Sequence, residues 1–284
     1  MRARAARILL LAAAALLAGA CSLSRVAYVN ATPILAWYLD DYVDLTPVQK
    51  EWTHGRLARA MAWHRAAELP EYQRFLQSAI RSAGEGLTEA ELRRIHAGLQ
   101  GYYERAVAHL LPDMAEFVSQ LDPGQAERLE AKFAEQNEKI VKDSLKGTPA
   151  ERRERRAKRF LEFIGDWTGR LTPAQRALVA EGLAGLPDLT EERLGDRRYR
   201  QTEFVALVRA RPTPPQAEAA LRRLLLERDR WRRPDYAAKL RERDTAVIAM
   251  LARLDATLTP EQRRSVQEKL GDYLSDVSYL MAGT

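Results

Sequence analysis

Apolar residues recur along this chain every three or four positions. Phe160, Ile164, Trp167 and Leu171 step by 4, 3 and 4, and so do Val247, Leu251, Leu254 and Leu258. Val266, Leu270, Tyr273, Val277 and Leu280 carry the same rhythm towards the C-terminal end. That is the period of helices with one buried face. No stretch alternates apolar and polar residues over the length of a strand and then turns as a hairpin does.

The starts of these helices are written in one recurring phrase. Leu45-Thr46-Pro47-Val48-Gln49, Leu121-Asp122-Pro123-Gly124-Gln125, Leu171-Thr172-Pro173-Ala174-Gln175 and Leu258-Thr259-Pro260-Glu261-Gln262 share it. The Thr or Asp caps the free amides of the first turn, and the proline sits where its missing N–H had no partner. The Gln three residues after the cap reaches back to the cap's own amide, and the leucine before the cap is placed as a hydrophobic staple. Looser versions begin at Thr88, Thr148 and Thr213. Together with the periodicity they predict helices over 24–40, 47–68, 70–83, 89–120 (bent at Pro112), 123–146, 149–169, 173–185, 190–210, 214–231, 235–257 and 260–281. The full phrases are 76, 50 and 87 residues apart, too irregular for a solenoid. The best hinge candidates, Lys146–Pro149 and Arg211–Pro215, are short. The expectation is an all-α, multi-helix, bundle-like body of about ten helices rather than independent domains.

The N-terminus departs from this pattern. Arg2, Arg4 and Arg7 precede an apolar run from Ile8 to Leu17, and then come Ala18-Gly19-Ala20-Cys21. A basic end, a short apolar segment and small residues describe a secretory signal peptide rather than a membrane span. The only cysteine of the chain follows the small residues at once, which resembles a bacterial lipoprotein signal. By that resemblance residues 1–20 are a lipoprotein signal peptide, and Cys21 carries a thioether-linked diacylglycerol and an acylated amine. Residues 21–284 would then be a lipid-anchored periplasmic domain. Ser22, where aspartate would signal retention at the inner membrane, implies the periplasmic face of the outer membrane. A cysteine consumed by lipid leaves no thiol for a disulfide, a metal or a nucleophile. No cofactor is expected beyond the covalent lipid, and the membrane is reached through that anchor.

Charge changes the picture little. The chain has 45 Lys and Arg against 39 Asp and Glu, and removal of the three N-terminal arginines leaves 42 against 39. That near-neutral balance argues against nucleic acid as a partner. Arg152–Arg159 and Arg228–Arg233 are basic runs. Each is either a surface for anionic headgroups or a solvated helix face laced with ion pairs.

Candidate chemistry gathers in Ala36–Tyr72. Asp40 and Asp44 are four apart, so a helix continuing through both would put two carboxylates on one face, fit for a hard cation or for acid–base work. The plainer reading is that Asp40, Asp41 and Asp44 end one helix just before the cap of the next. His64 lies on a helix with two apolar sides, where a histidine is more often a hydrogen-bonded interior group than a catalyst. Trp37, Tyr38, Asp41, Trp63 and His64 are the binding candidates. His54, His96 and His109 are scattered, with no HExxH, GxSxG or phosphate-loop context.

Two resemblances follow from these residues. Trp37-Tyr38-Leu39-Asp40-Asp41-Tyr42, Leu45-Thr46-Pro47-x-Gln49 and Trp63-His64-x3-Glu68-Leu69-Pro70-x-Tyr72, behind a lipidated cysteine, resemble a family of uncharacterised proteobacterial lipoproteins. The resemblance extends to Leu258–Gln262 and implies no activity. The LTxxQ phrase is also similar to small all-helical periplasmic stress chaperones of the spheroplast-protein-Y type, which implies holding unfolded clients. Three readings stand: a non-enzymatic envelope protein that binds a partner or an unfolded client, an enzyme or metal-binding protein using Asp40, Asp41, Asp44 and His64, and a structural envelope component.

Overall fold

A computed structural model describes residues 20–283, and the side chains of 24–283. The expected signal peptide over 1–20 lies outside the described residues but for the backbone of Ala20, as does the Cys21 side chain. The described chain is all-α, with no strand among these residues: α1 (Ala20–Val29), α2 (Ala31–Val43), α3 (Pro47–Trp63), α4 (Leu69–Glu85), α5 (Glu89–Ser119), α6 (Pro123–Ser144), α7 (Pro149–Thr168), α8 (Pro173–Ala184), α9 (Thr190–Arg209), α10 (Pro214–Leu225), α11 (Pro234–Asp255) and α12 (Pro260–Ala282).

The helix starts follow the capping physics at all seven positions. Gln49, Glu91, Gln125, Glu151, Gln175, Gln216 and Gln262 each return a side-chain oxygen to the N–H of the cap three residues earlier, at 2.7–3.1 Å. Three segments depart from the expected bounds. The helix expected over 24–40 breaks at Asn30, whose side-chain amide turns back to the carbonyl of Val26, and then runs on to Val43. The helix expected over 214–231 stops at Leu225, leaving a single 3-10 turn at Arg228–Arg230. The break expected between 68 and 70 is instead a wide π turn, His64–Glu68, leading straight into α4. Pro70 explains it: proline in a continuing helix removes one bond and crowds the carbonyl four residues back, and a widened turn before it makes room.

The four full phrases pair off. Gln49 donates its amide to the side chain of Gln125 at 3.1 Å and receives the reciprocal bond at 2.8 Å. The second proton of each amide goes to the loop before its partner's cap, to the carbonyls of Gln120 and Asp44. Gln175 and Gln262 repeat the arrangement at 2.7 and 2.9 Å, with the carbonyls of Thr257 and Arg170 as outer acceptors. All four glutamines are buried. Each amide oxygen accepts twice and each amide nitrogen donates twice, so every bonding position of both pairs is filled. Each clasp joins two helix–turn–helix corners, α2–α3 with α5–α6 and α7–α8 with α11–α12. The helix pairings match as well: α2 packs on α6 as α7 does on α12, and α3 on α5 as α8 does on α11.

The two apolar cores lie beside these clasps. Around the first gather Val43, Leu45, Leu111, Val118, Leu121 and Leu129, joined by Val208 of α9 and Leu221 of α10. Around the second are Ile164, Leu171, Val179, Met250 and Leu254. Gly182 lets α8 approach α11 closely, since a Cβ there would stand 2.5 Å from the sulfur of Met250.

Candidate functional site

The acidic stretch is a helix terminus. α2 ends at Val43, and Asp44 takes the left-handed conformation (φ 55°, ψ 73°) with its N–H bonded to the carbonyl of Asp40 at 2.8 Å. The helix therefore does not continue through both carboxylates, and Asp40 and Asp44 do not share a helix face as a cation site would need. Asp40 accepts the N–H of Leu45 at 2.9 Å and pairs with Lys50 at 2.9 Å. The bond from Lys50 is the main cause that lowers its pKa. Asp41 pairs separately with Lys132 at 2.9 Å. Among the described residues no group of three or more His, Cys, Asp and Glu side chains is arranged to hold a metal ion.

His64 opens the π turn and is embedded in rings. Its Nδ1 lies 2.9 Å from the Tyr28 hydroxyl, and Tyr72 stands edge-on to it at 5.4 Å. Tyr72 in turn meets Tyr102 at 4.7 Å. Trp63 is stacked on His109 at 3.7 Å. This ladder ties α1 to α3, α4 and α5. At the other end of the turn Glu68 is buried and bound by both arms of the Arg105 fork, at 3.0 and 3.1 Å. Burial lowers the His64 pKa below its ordinary value of 6.5, only partly opposed by the charge of Glu68. The unfolded chain therefore takes up a proton that the folded chain resists. Stability is expected to fall as pH drops through 6.5 towards the folded value, and His64→Gln should flatten that slope in urea titrations between pH 7.5 and 5.5.

The remaining candidates form a surface. Trp37 and Tyr38 are 61% and 53% exposed and pack edge-to-face at 5.1 Å. Val26, Val29, Ile34 and Leu35 are exposed beside them in sequence on α1 and α2. Of the thirteen large apolar side chains exposed among the described residues, six fall in these 13 positions, so the clustering is not the usual scatter. On α2, Ile34, Trp37 and Tyr38 lie away from Val43, which packs into the first core with Leu39 and Tyr42; Leu35, on the stripe of Leu39 and Tyr42, is exposed one turn before them. α1 is clamped to α12, where Arg25 pairs with Asp276 at 2.6 Å, bonds Ser275 at 3.0 Å and lies over the Tyr279 ring; Ser24 also donates to Asp276. The exposed face is thus held in a fixed place on the body. Trp37 and Tyr38 stand out in the sequence, but the four aliphatic residues do not, because their exposure depends on how α1 meets α12 and which side of α2 meets the core.

A family model described as a family of unknown function (DUF6279) matches residues 41–237. No curated protein and no solved structure matches the chain. The match begins after Trp37 and ends before Leu258, so it covers less than the whole-chain resemblance expected above.

Proposed function

This chain belongs to the DUF6279 family, a family of unknown function, and we propose that it is a lipid-anchored envelope protein that acts by binding at a membrane surface rather than by catalysis. Cys21 carries the lipid, the protein sits on the periplasmic face of the outer membrane, and the exposed face of α1 and α2 rests in the headgroup layer. The observation that carries this reading is the apolar, aromatic face from Val26 to Tyr38, which begins five residues after Cys21. Tryptophan and tyrosine favour the membrane interface, where the ring is shielded and the polar edge stays wet. Three acyl chains on Cys21 would hold the protein firmly, and the apolar contacts of this face would fix how the body is oriented on the surface. The neighbourhood of Asp40, Asp41 and His64 supports no enzyme, since each group is spent on its own partner. The LTxxQ phrase supports no client surface, since its glutamines are consumed by the two buried clasps.

The test is quenching of tryptophan fluorescence by brominated phospholipids in vesicles carrying the purified lipidated protein. Wild type should be quenched clearly more than Trp37→Phe. Intact mass should show the acyl and diacylglycerol additions on wild type and their loss in Cys21→Ser. Equal quenching of the two proteins would sink the membrane face, and an unmodified Cys21 would sink the anchor. A concentration-dependent dimer in place of quenching would assign the face to a second copy of the chain.

A further inference from the structure

Five arginines converge on one groove. Arg156 and Arg159 of α7 face Arg193, Arg197 and Arg200 of α9 across a cavity of about 610 Å3, with no carboxylate in its lining. Spacings of three and four residues put each set on one side of its helix. Only Arg156 is neutralised, by Asp188 at 2.8 Å. Arg197 is held by neutral acceptors, Asn137 at 3.1 Å and Gln136 at 2.9 Å, so it keeps its full charge while its position is fixed. Arg159, Arg193 and Arg200 are exposed, and among the described residues none has a carboxylate within ion-pairing distance. The basic run at 228–233 differs: Arg230, Arg232 and Arg233 are each paired, with Glu227, Asp196 and Asp235.

The walls of the groove are not only basic. Phe163 is 55% exposed beside Phe160, and Ile140 and Leu194 complete an apolar side. Like charges brought together without counter-ions repel, and an anion relieves that cost. The planar forks of arginine match the oxygens of a phosphate in pairs. A cavity of this size with an apolar wall and a few convergent polar groups suits a small ligand.

We infer that the groove between α7 and α9 binds a phosphorylated ligand with an apolar portion, its phosphate held by Arg159, Arg193, Arg197 and Arg200 and its apolar part against Phe160 and Phe163. The inference rests on the groove alone and not on the membrane role of α1 and α2. The same chemistry is offered by the headgroup of an anionic lipid and by a soluble phosphate compound.

Titration calorimetry on the full-length protein in a neutral detergent separates the cases. The probes are dihexanoyl phosphatidic acid, dihexanoyl phosphatidylcholine and inorganic pyrophosphate. Phosphatidic acid should bind, and phosphatidylcholine should bind at least about tenfold more weakly. Arg193→Ala with Arg200→Ala should weaken the acid by about tenfold or more, with an unchanged circular dichroism spectrum. Phe163→Ala should weaken phosphatidic acid and leave pyrophosphate unaffected. Tight binding of phosphatidic acid alone assigns a lipid headgroup, and comparable binding of pyrophosphate assigns a soluble phosphate source. Binding of neither, or binding unchanged in the double variant, overturns the inference.

Discussion

Gln262→Ala is expected to destabilise the folded chain by about 2–4 kcal/mol, far more than the loss of an ordinary helix cap. Removing the side chain deletes the return bond to Thr259, worth about 1 kcal/mol at a cap. It also deletes both bonds to Gln175 and the bond to the carbonyl of Arg170. The Gln175 amide left behind is buried, and each unsatisfied buried donor or acceptor costs about 1–3 kcal/mol. Gln216→Ala is the control. Gln216 closes a capping box of the same kind, but it is exposed and makes no clasp, so only about 0.5–1 kcal/mol should be lost. In a double-mutant cycle Gln175→Ala and Gln262→Ala should be strongly non-additive, because the first removal already breaks the shared bonds. Urea midpoints of the four proteins decide it: equal costs for Gln262→Ala and Gln216→Ala would mean that the clasp carries no stability.

The clasp also marks where reading the sequence stops. Each capping box is local physics spanning four residues, so Thr46 to Gln49 or Thr259 to Gln262 announces a helix start without any knowledge of the rest of the chain. That is why the all-α class and nearly every helix start were readable. The pairing of Gln49 with Gln125 and of Gln175 with Gln262 was not, because the partners are 76 and 87 residues apart in a spacing that resembles no repeat. The looser phrases point the same way: Glu151 and Gln216 are exposed, Glu91 is half-buried, and none of them is clasped.

The candidate site was readable in residue type and not in geometry. Asp40 and Asp44 have the spacing of one helix face, and no glycine at 44 signals that the backbone turns left-handed there. Trp37 and Tyr38 are visible in the sequence as aromatic residues shortly after Cys21, but only the packing of Leu39, Tyr42 and Val43 into the core determines that they face outward. Arg193, Arg197 and Arg200 stand at helical spacing in the sequence and were passed over. Their partners on α7 come from an earlier helix, and nothing local says which arginines keep a free charge.

Arg105→Ala should cost about 2–4 kcal/mol, and Glu68→Gln only about 1 kcal/mol. The two partners are unequally placed: the Glu68 side chain is 4% exposed and that of Arg105 is 49% exposed. Removing one partner of a buried pair typically costs about 3–5 kcal/mol because the other charge is stranded. That figure is discounted here because the outer half of the pair already touches water. Without Arg105 the Glu68 carboxylate stays inside the π turn beside Tyr72, with no cation bound to it. Without the charge of Glu68, the Arg105 guanidinium is already half open to water and keeps its place over the Tyr102 ring at 4.7 Å. Arg105→Lys should fall between the two, since a point charge loses one arm of the fork. Chemical denaturation of the three variants gives the ranking. If Glu68→Gln proves the costliest, then the pair is retained for what Glu68 does for the turn rather than for the desolvation of its charge, and the asymmetry argued from exposure fails.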